Sequence, residues 1–254
     1  MKKIIAANWK MHKTVAEAQK YASELIRELD GKPFVDRSLV VFPAFISIPA
    51  VAEAFSGNPD YLVGGQNFYP ADHGAFTGEI SLPMLRDAGA RWIMIGHSER
   101  RHILHENDAF IAEKTACALD NGWKVMLCVG ETLAEREAGQ LKSVLQRQLE
   151  TAITLLSQTV KSALVGNLAI AYEPVWAIGT GKVAGPTEVL DAHQTVRQCL
   201  VRLLPEQGGQ LPILYGGSVK PDNAASLLQL DNVNGLLVGG ASLEVQSFLK
   251  IIMA

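Results

Sequence analysis

Eight short apolar runs, each followed by a stretch with helical periodicity, constrain this chain more than any other feature. The runs at 3–7, 39–42, 61–65, 92–95, 124–129, 168–172, 212–215 and 235–238 read as strands. They are continuous rather than alternating, as strands buried on both faces are. Helical patterns fall at 14–29, 48–55, 81–88, 107–119, 134–138 with 142–156, 186–204, 222–228 and 243–252. Thr14 and Asp222 stand where caps belong, Pro186 sits in a first turn, and Asn121-Gly122 ends the fourth pattern. Strand–helix alternation implies a parallel sheet. Eight such units in 254 residues match a closed, eight-stranded (β/α)₈ barrel of the α/β class with outer helices. A doubly wound open sheet is the alternative. It usually carries a glycine fingerprint after its first strand, where this chain has Asn8-Trp9-Lys10. No low-complexity linker interrupts the units, so residues 1–254 are expected to form a single catalytic domain.

Composition narrows the function classes. A net charge of -3 without a basic stripe argues against a nucleic-acid partner. No apolar run approaches the roughly 18 residues of a membrane span. The first residues carry two lysines and too short an apolar run for a signal peptide. Cys117, Cys128 and Cys199 are widely spaced and make neither a disulfide framework nor a CxxC metal site. A reduced, cytoplasmic compartment is the default.

The active face of such a barrel lies at the C-terminal ends of its strands. The residues just past the strands bring together Asn8 and Lys10, then Gly96-His97-Ser98-Glu99-Arg100, then Glu173, then Gly216-Gly217-Ser218, then Gly239-Gly240. Two glycine turns after the last two strands leave backbone N–H groups uncovered, which suits a phosphate. Glu173 ends its strand, and Pro174 stops the ladder. The apolar tip Val175-Trp176-Ala177-Ile178, set against Gly179 and Gly181, suits a lid that closes and excludes water. These groups suit proton transfer beside a carbonyl: Glu173 as base, His97 and Asn8 as donors to a developing enediolate, Lys10 as fixed positive charge. Other readings stand beside this one. Each residue taken singly fits a structural role, a capped turn or a solvated ion pair. His97 could join His102 and His105 on a metal, with the two lying at a helix start, though their spacing is loose. Lys10 could be a Schiff-base nucleophile, as in a class I aldolase. The chain could also be a catalytically silent phosphate-binding module.

Along the whole chain the motifs resemble those of the triosephosphate isomerase family, the family that gives the TIM barrel its name. The carriers are Asn8-Trp-Lys10-Met11, Gly64-Gly-Gln-Asn67, Gly74-Ala-Phe-Thr-Gly-Glu79, Ile95-Gly-His-Ser-Glu-Arg100, Cys128-Val-Gly-Glu131, Glu173-Pro-Val-Trp-Ala-Ile-Gly-Thr-Gly-Lys182, Tyr215-Gly-Gly-Ser218 and Leu237-Val-Gly-Gly240. The resemblance implies interconversion of dihydroxyacetone phosphate and glyceraldehyde 3-phosphate, with no metal and no organic cofactor. It implies Glu173 as base and His97 as neutral electrophile. Asn8, Trp9 and Lys10 would bind the small phosphorylated three-carbon substrate, and Gly179, Ser218, Gly239 and Gly240 its phosphate. Residues Pro174, Val175, Trp176, Ala177, Ile178, Gly179, Thr180, Gly181 and Lys182 become the lid. Glu99 would fix Lys10, with Ser98 in support. A homodimer is implied too, in which the 66–79 loop brings Phe76 and Thr77 to the neighbour's Asn8 and Lys10. The family often has Ser or Thr where this chain has Gly185, a cap that costs only a few tenths of a kcal/mol. Cys128 reads as structural, with no base beside it.

Overall fold

A computed structural model of the chain describes residues 2–32, 36–178 and 184–254. The apolar runs form parallel strands β1 (Lys3–Asn8), β2 (Arg37–Phe42), β3 (Tyr61–Gly65), β4 (Trp92–Ile95), β5 (Lys124–Val129), β6 (Leu168–Tyr172), β7 (Ile213–Tyr215) and β8 (Gly235–Val238). They are hydrogen-bonded in chain order, and β8 pairs back onto β1 with Ile4 opposite Gly235, closing a (β/α)₈ barrel. Successive side chains alternate between two apolar layers, which is why the runs had to be apolar throughout. Ile4, Ala6, Val40, Phe42, Met94, Met126, Cys128, Ala171 and Leu237 make up the inner layer. Ile5, Ala7, Leu39, Val41, Ile93, Val125, Leu127 and Ile170 pack outward against the helices. Each large apolar side chain among them contributes about 1.5–3 kcal/mol on full burial.

The outer ring consists of α1 (Val15–Leu29), α2 (Ile48–Phe55), α3 (Leu82–Asp87), α4 (Ser98–His102), α5 (Asp108–Asp120), α6 (Leu133–Glu137), α7 (Leu141–Thr154), α8 (Gln158–Ser162), α9 (Pro186–Leu203), α10 (Pro221–Leu228) and α11 (Val245–Met253). Thr14 and Glu17 form a reciprocal capping box at the start of α1. None of these helices, among the described residues, is long and apolar enough to cross a membrane.

Periodicity missed two helices. α4 and α8 are five residues each and too polar to show an apolar stripe. α4 also corrects the expectation for His102 and His105. His102 ends this helix, and His105 sits in the following loop with φ 57. Asp222 is not the cap of α10 but lies in its first turn. The cap position is Lys220, whose N–H is taken by Asn223 Oδ1 at 2.8 Å.

Candidate active site

Several strand ends converge on one cavity of about 330 Å³, lined by Asn8, Lys10, His97, Glu173, Ala177, Ile178, Gly216, Gly217, Ser218, Lys220, Gly239 and Gly240. Asn8 closes β1, and its side-chain Oδ1 accepts the Lys10 N–H at 2.9 Å. That bond, with Gln66 Nε2 donating to the Lys10 carbonyl at 2.8 Å, holds Lys10 at φ 52. A left-handed non-glycine residue costs about 1–3 kcal/mol and persists where its surroundings over-determine it. The conformation carries the Lys10 ammonium to within 2.7 Å of Glu99 Oε1. With Asn8 Oδ1 turned to the Lys10 N–H, its amide N–H groups remain free, among the described residues, to be offered to a ligand.

His97 follows β4 and caps α4. Its Nδ1 accepts the Glu99 backbone N–H at 3.2 Å, which puts the ring proton on Nε2. Nε2 lies 3.0 Å from Glu173 Oε1. In this tautomer the contact is an Nε2–H donated to the carboxylate. The Glu173 carboxylate also accepts the Ser98 N–H at 2.9 Å and the Ser98 hydroxyl at 3.3 Å. Burial pushes the Glu173 carboxyl up. The His97 imidazole, the Ser98 N–H and the Lys10 ammonium outweigh burial and hold it below the ordinary carboxylate value.

The next strand ends are built from glycine, and Gly216 lies against Glu173, where a Cβ would come within 3.1 Å of the Glu173 side chain. Gly216, Gly217 and Ser218 follow β7, and Gly239 and Gly240 follow β8. A short 3₁₀ turn, Gly240–Ser242, begins at the cavity. Turns after the last two strands, with a short helix start, are where such barrels hold phosphate. Lys220 adds a cation to this wall that strand-end reading did not pick out. Tyr215 lies beneath it, its phenol pushed up to about 12 by burial.

Glu131 also went unassigned in the sequence, although Gly130-Glu131 follows β5 and the strand-end rule points to it. It is fully buried and accepts from Tyr172 Oη at 3.0 Å and Trp176 Nε1 at 2.8 Å. Burial raises its carboxyl above the ordinary value. Its carbonyl takes the Val175 N–H at 3.1 Å, so one residue holds both backbone and side chain at the start of the apolar tip. Gln148 of α7 grips Gly130 from behind, accepting its N–H at 2.9 Å and donating to its carbonyl at 3.1 Å.

Some candidate residues fall elsewhere. Trp9 does not reach the cavity. It is buried in the outer apolar layer, with its ring centroid 4.9 Å from Tyr21, because the residue after Asn8 points away from the barrel axis. Gly179, Thr180, Gly181 and Lys182 lie outside the described residues. Phe76 stacks on Tyr69 at 4.2 Å and, like Thr77, lies away from this cavity. Cys128 does have a base beside it, the Glu173 carboxylate. Burial and then that negative charge push its thiol well above its ordinary value, so the neighbour quiets the thiol. Among the described residues no group of three or more His, Cys, Asp or Glu is placed to hold a metal.

The family model described as triosephosphate isomerase matches residues 3–254. The triosephosphate isomerase of Oleidesulfovibrio alaskensis is 54% identical over 254 residues, covering 100% of both chains. That of Lawsonia intracellularis is 51% identical over 254 residues, 100% of this chain and 98% of its own. That of Chlamydia trachomatis serovar D is 46% identical over 253 residues, 99% of this chain and 89% of its own.

Proposed function

The chain belongs to the triosephosphate isomerase family, and we propose that Glu173 is the base with which it interconverts dihydroxyacetone phosphate and D-glyceraldehyde 3-phosphate, a step of glycolysis and gluconeogenesis. The observation that carries this reading is one cavity holding a buried carboxylate, an Nε2–H imidazole and an ammonium, with two glycine turns in the same lining. Glu173 takes the proton from the carbon next to the carbonyl, and the electron pair moves onto the carbonyl oxygen. The resulting enediolate oxygen meets His97 Nε2–H, the Asn8 amide and the Lys10 charge. His97 Nε2 gives its proton to that oxygen and takes one from the hydroxyl on the adjacent carbon, and Glu173 then returns its proton to the neighbouring carbon, which completes the exchange of aldehyde and ketone. The substrate phosphate is held at Ser218, Gly239 and Gly240, and at Gly179.

The same arrangement supports a change in basicity during turnover. Ser98, His97 and Lys10 hold the carboxyl acidic, whereas burial raises it. Moving the carboxylate off Ser98 toward substrate removes part of what holds it acidic and leaves burial, the direction a base needs. Closure of Trp176, Ala177 and Ile178 over the cavity dries the site, a gating role for which triosephosphate isomerases are themselves a standard example. Glu131 then acts as the anchor of the tip.

The barrel works as one catalytic domain in the cytoplasm and as a homodimer. Met11, Ile46, Phe76, Met84, Ile103 and Leu104 are exposed apolar side chains on the connections after β1, β2, β3 and β4. Four consecutive strand ends carrying such residues support a common interface.

The test is a coupled assay of the wild-type protein on glyceraldehyde 3-phosphate in deuterated water. Isomerisation with solvent deuterium in the product, and no borohydride-trapped adduct on Lys10, is the expected result. Absence of turnover would sink the reading in favour of a silent phosphate-binding module, and a trapped adduct would replace it with Schiff-base chemistry.

A further inference from the structure

Behind His97 and Glu173 lies a buried cation that the proposed chemistry does not touch. The Arg101 side chain, on α4, is only 7% exposed. Its guanidinium spends all three nitrogens on fixed partners. Nε donates to the Gly96 carbonyl at 2.7 Å, Nη2 to the Cys128 carbonyl at 3.0 Å, and Nη1 to Asp108 Oδ1 at 2.6 Å. Gly96 is the residue immediately before His97, and Cys128 lies against Glu173. The fork therefore bridges the end of β4 to the end of β5 on the side away from the cavity. Gly96 is shaped for this: its φ is +73, and a Cβ there would lie 2.8 Å from Arg101 Nη2 and 3.1 Å from the Cys128 carbonyl. A side chain at this φ would be strained and would crowd the guanidinium, and glycine avoids both.

We propose that Arg101 is a positioning residue of the isomerisation: by tying the Gly96 and Cys128 carbonyls into one rigid fork, it sets the angle at which His97 meets Glu173 and the substrate oxygen. The inference rests on the reading of Glu173 as base and His97 as electrophile. A planar fork is required because three acceptors lie in different directions, and an ammonium cannot serve them with the same geometry. Asp108 holds the fork from outside and is itself paired with Arg147, which reaches neither strand end. The phosphate wall, Gly216–Ser218 with Gly239 and Gly240, is carried by β7 and β8 and has no part in this network.

The experiment compares Arg101→Lys with wild type in the isomerase assay, alongside thermal unfolding and competitive inhibition by inorganic phosphate. The expected result is a kcat lower by about tenfold to a hundredfold, the scale of an angstrom-sized misplacement of reacting groups. KM and the phosphate inhibition constant stay within about twofold of wild type, since ground-state binding at the phosphate wall is untouched. Arg147→Met removes a charge from the same carboxylate without touching either strand end, and leaves kcat unchanged. Wild-type kcat in Arg101→Lys, with only a lower melting temperature, would show a purely structural residue and overturn the proposal. So would an equal loss in Arg147→Met, which would make charge at Asp108 the cause. If Arg101→Lys does not fold, Asp108→Asn decides: a lowered kcat at constant KM, with Arg147→Met at wild-type kcat, upholds the proposal, and an unchanged kcat in Asp108→Asn overturns it. A wild-type protein without isomerase activity is a separate result, which removes the underlying reading instead.

Discussion

His97 Nε2 lies 3.0 Å from Glu173 Oε1, while the Ser98 N–H lies 2.9 Å from Glu173 Oε2. The carboxylate is thus held by donors that keep it charged, and its proposed partner in the reaction is one of them. A glutamine at 173 keeps the shape but cannot accept a proton. Glu173→Gln is expected to lower kcat by about 10²–10⁴, the usual contribution of a positioned base, with inhibition by inorganic phosphate retained. Steady-state kinetics with phosphate as competitor checks both. Near-wild-type turnover would assign the base elsewhere.

Glu173 is placed by its backbone as well as by its carboxylate. Its N–H donates to the Val129 carbonyl at 2.7 Å. Gly130 passes so close that a Cβ built there would fall on the Glu173 carbonyl oxygen. Backbone gives way less readily than a side chain, so Gly130→Ala must displace one strand end from the other. The expected outcome is a melting temperature several degrees lower and a loss of kcat exceeding the loss in KM. A variant with wild-type kcat would mean that the register of β5 and β6 does not matter to the base.

The buried His193 gives the fold a pH dependence separate from catalysis. It is fully buried in α9, with Nδ1 2.9 Å from the Asn232 carbonyl and Nε2 without a hydrogen-bond partner among the described residues. Burial lowers its pKa from 6.5 to about 4. The unfolded chain therefore binds a proton that the folded one refuses between those values. The stabilisation is complete above 6.5 and is lost as pH falls toward 4, at a cost of about 3 kcal/mol from this residue. Urea unfolding across that window, at one protein concentration, should show a flatter dependence for His193→Asn than for wild type. Equal slopes would remove His193 as the source.

Strand-end logic named most of the residues that line the cavity, because topology alone brings them together. Asn8, Lys10, His97, Glu173, Ser218, Gly239 and Gly240 each lie at or just past a strand end, and a closed barrel aims strand ends at one cavity. The bounds of five strands were readable to the residue for a similar reason, since continuous apolar runs end abruptly at polar or glycine positions. What escaped depends on contacts between residues far apart in sequence. Gln148 lies in mid-α7 and looks like any polar helix position, yet it closes both hydrogen bonds of Gly130. Trp9 failed for the opposite reason: its neighbours Asn8 and Lys10 face the cavity, and strand alternation sends it outward. The five-residue α4 carried no periodic signal, although it fixes the His97 tautomer.

The proposed dimer has a test in the apolar loops. Met11 is 94% exposed, Ile46 69% and Ile103 68%, values that leave large apolar side chains mostly in water. Burying one such side chain contributes about 1.5–3 kcal/mol, and a two-fold interface counts each residue twice. An aspartate in the same place buries a charge without a partner, which is costly. Ile46→Asp should therefore convert the protein to monomers in sedimentation velocity while leaving the barrel's circular dichroism unchanged. It should also lose activity. Gln66, at the root of the 66–79 loop, donates to the Lys10 carbonyl, so a loop no longer packed against a neighbour supports Lys10 less firmly. A variant that stays dimeric, or a wild type that sediments as a monomer, would locate the partner surface elsewhere or remove it.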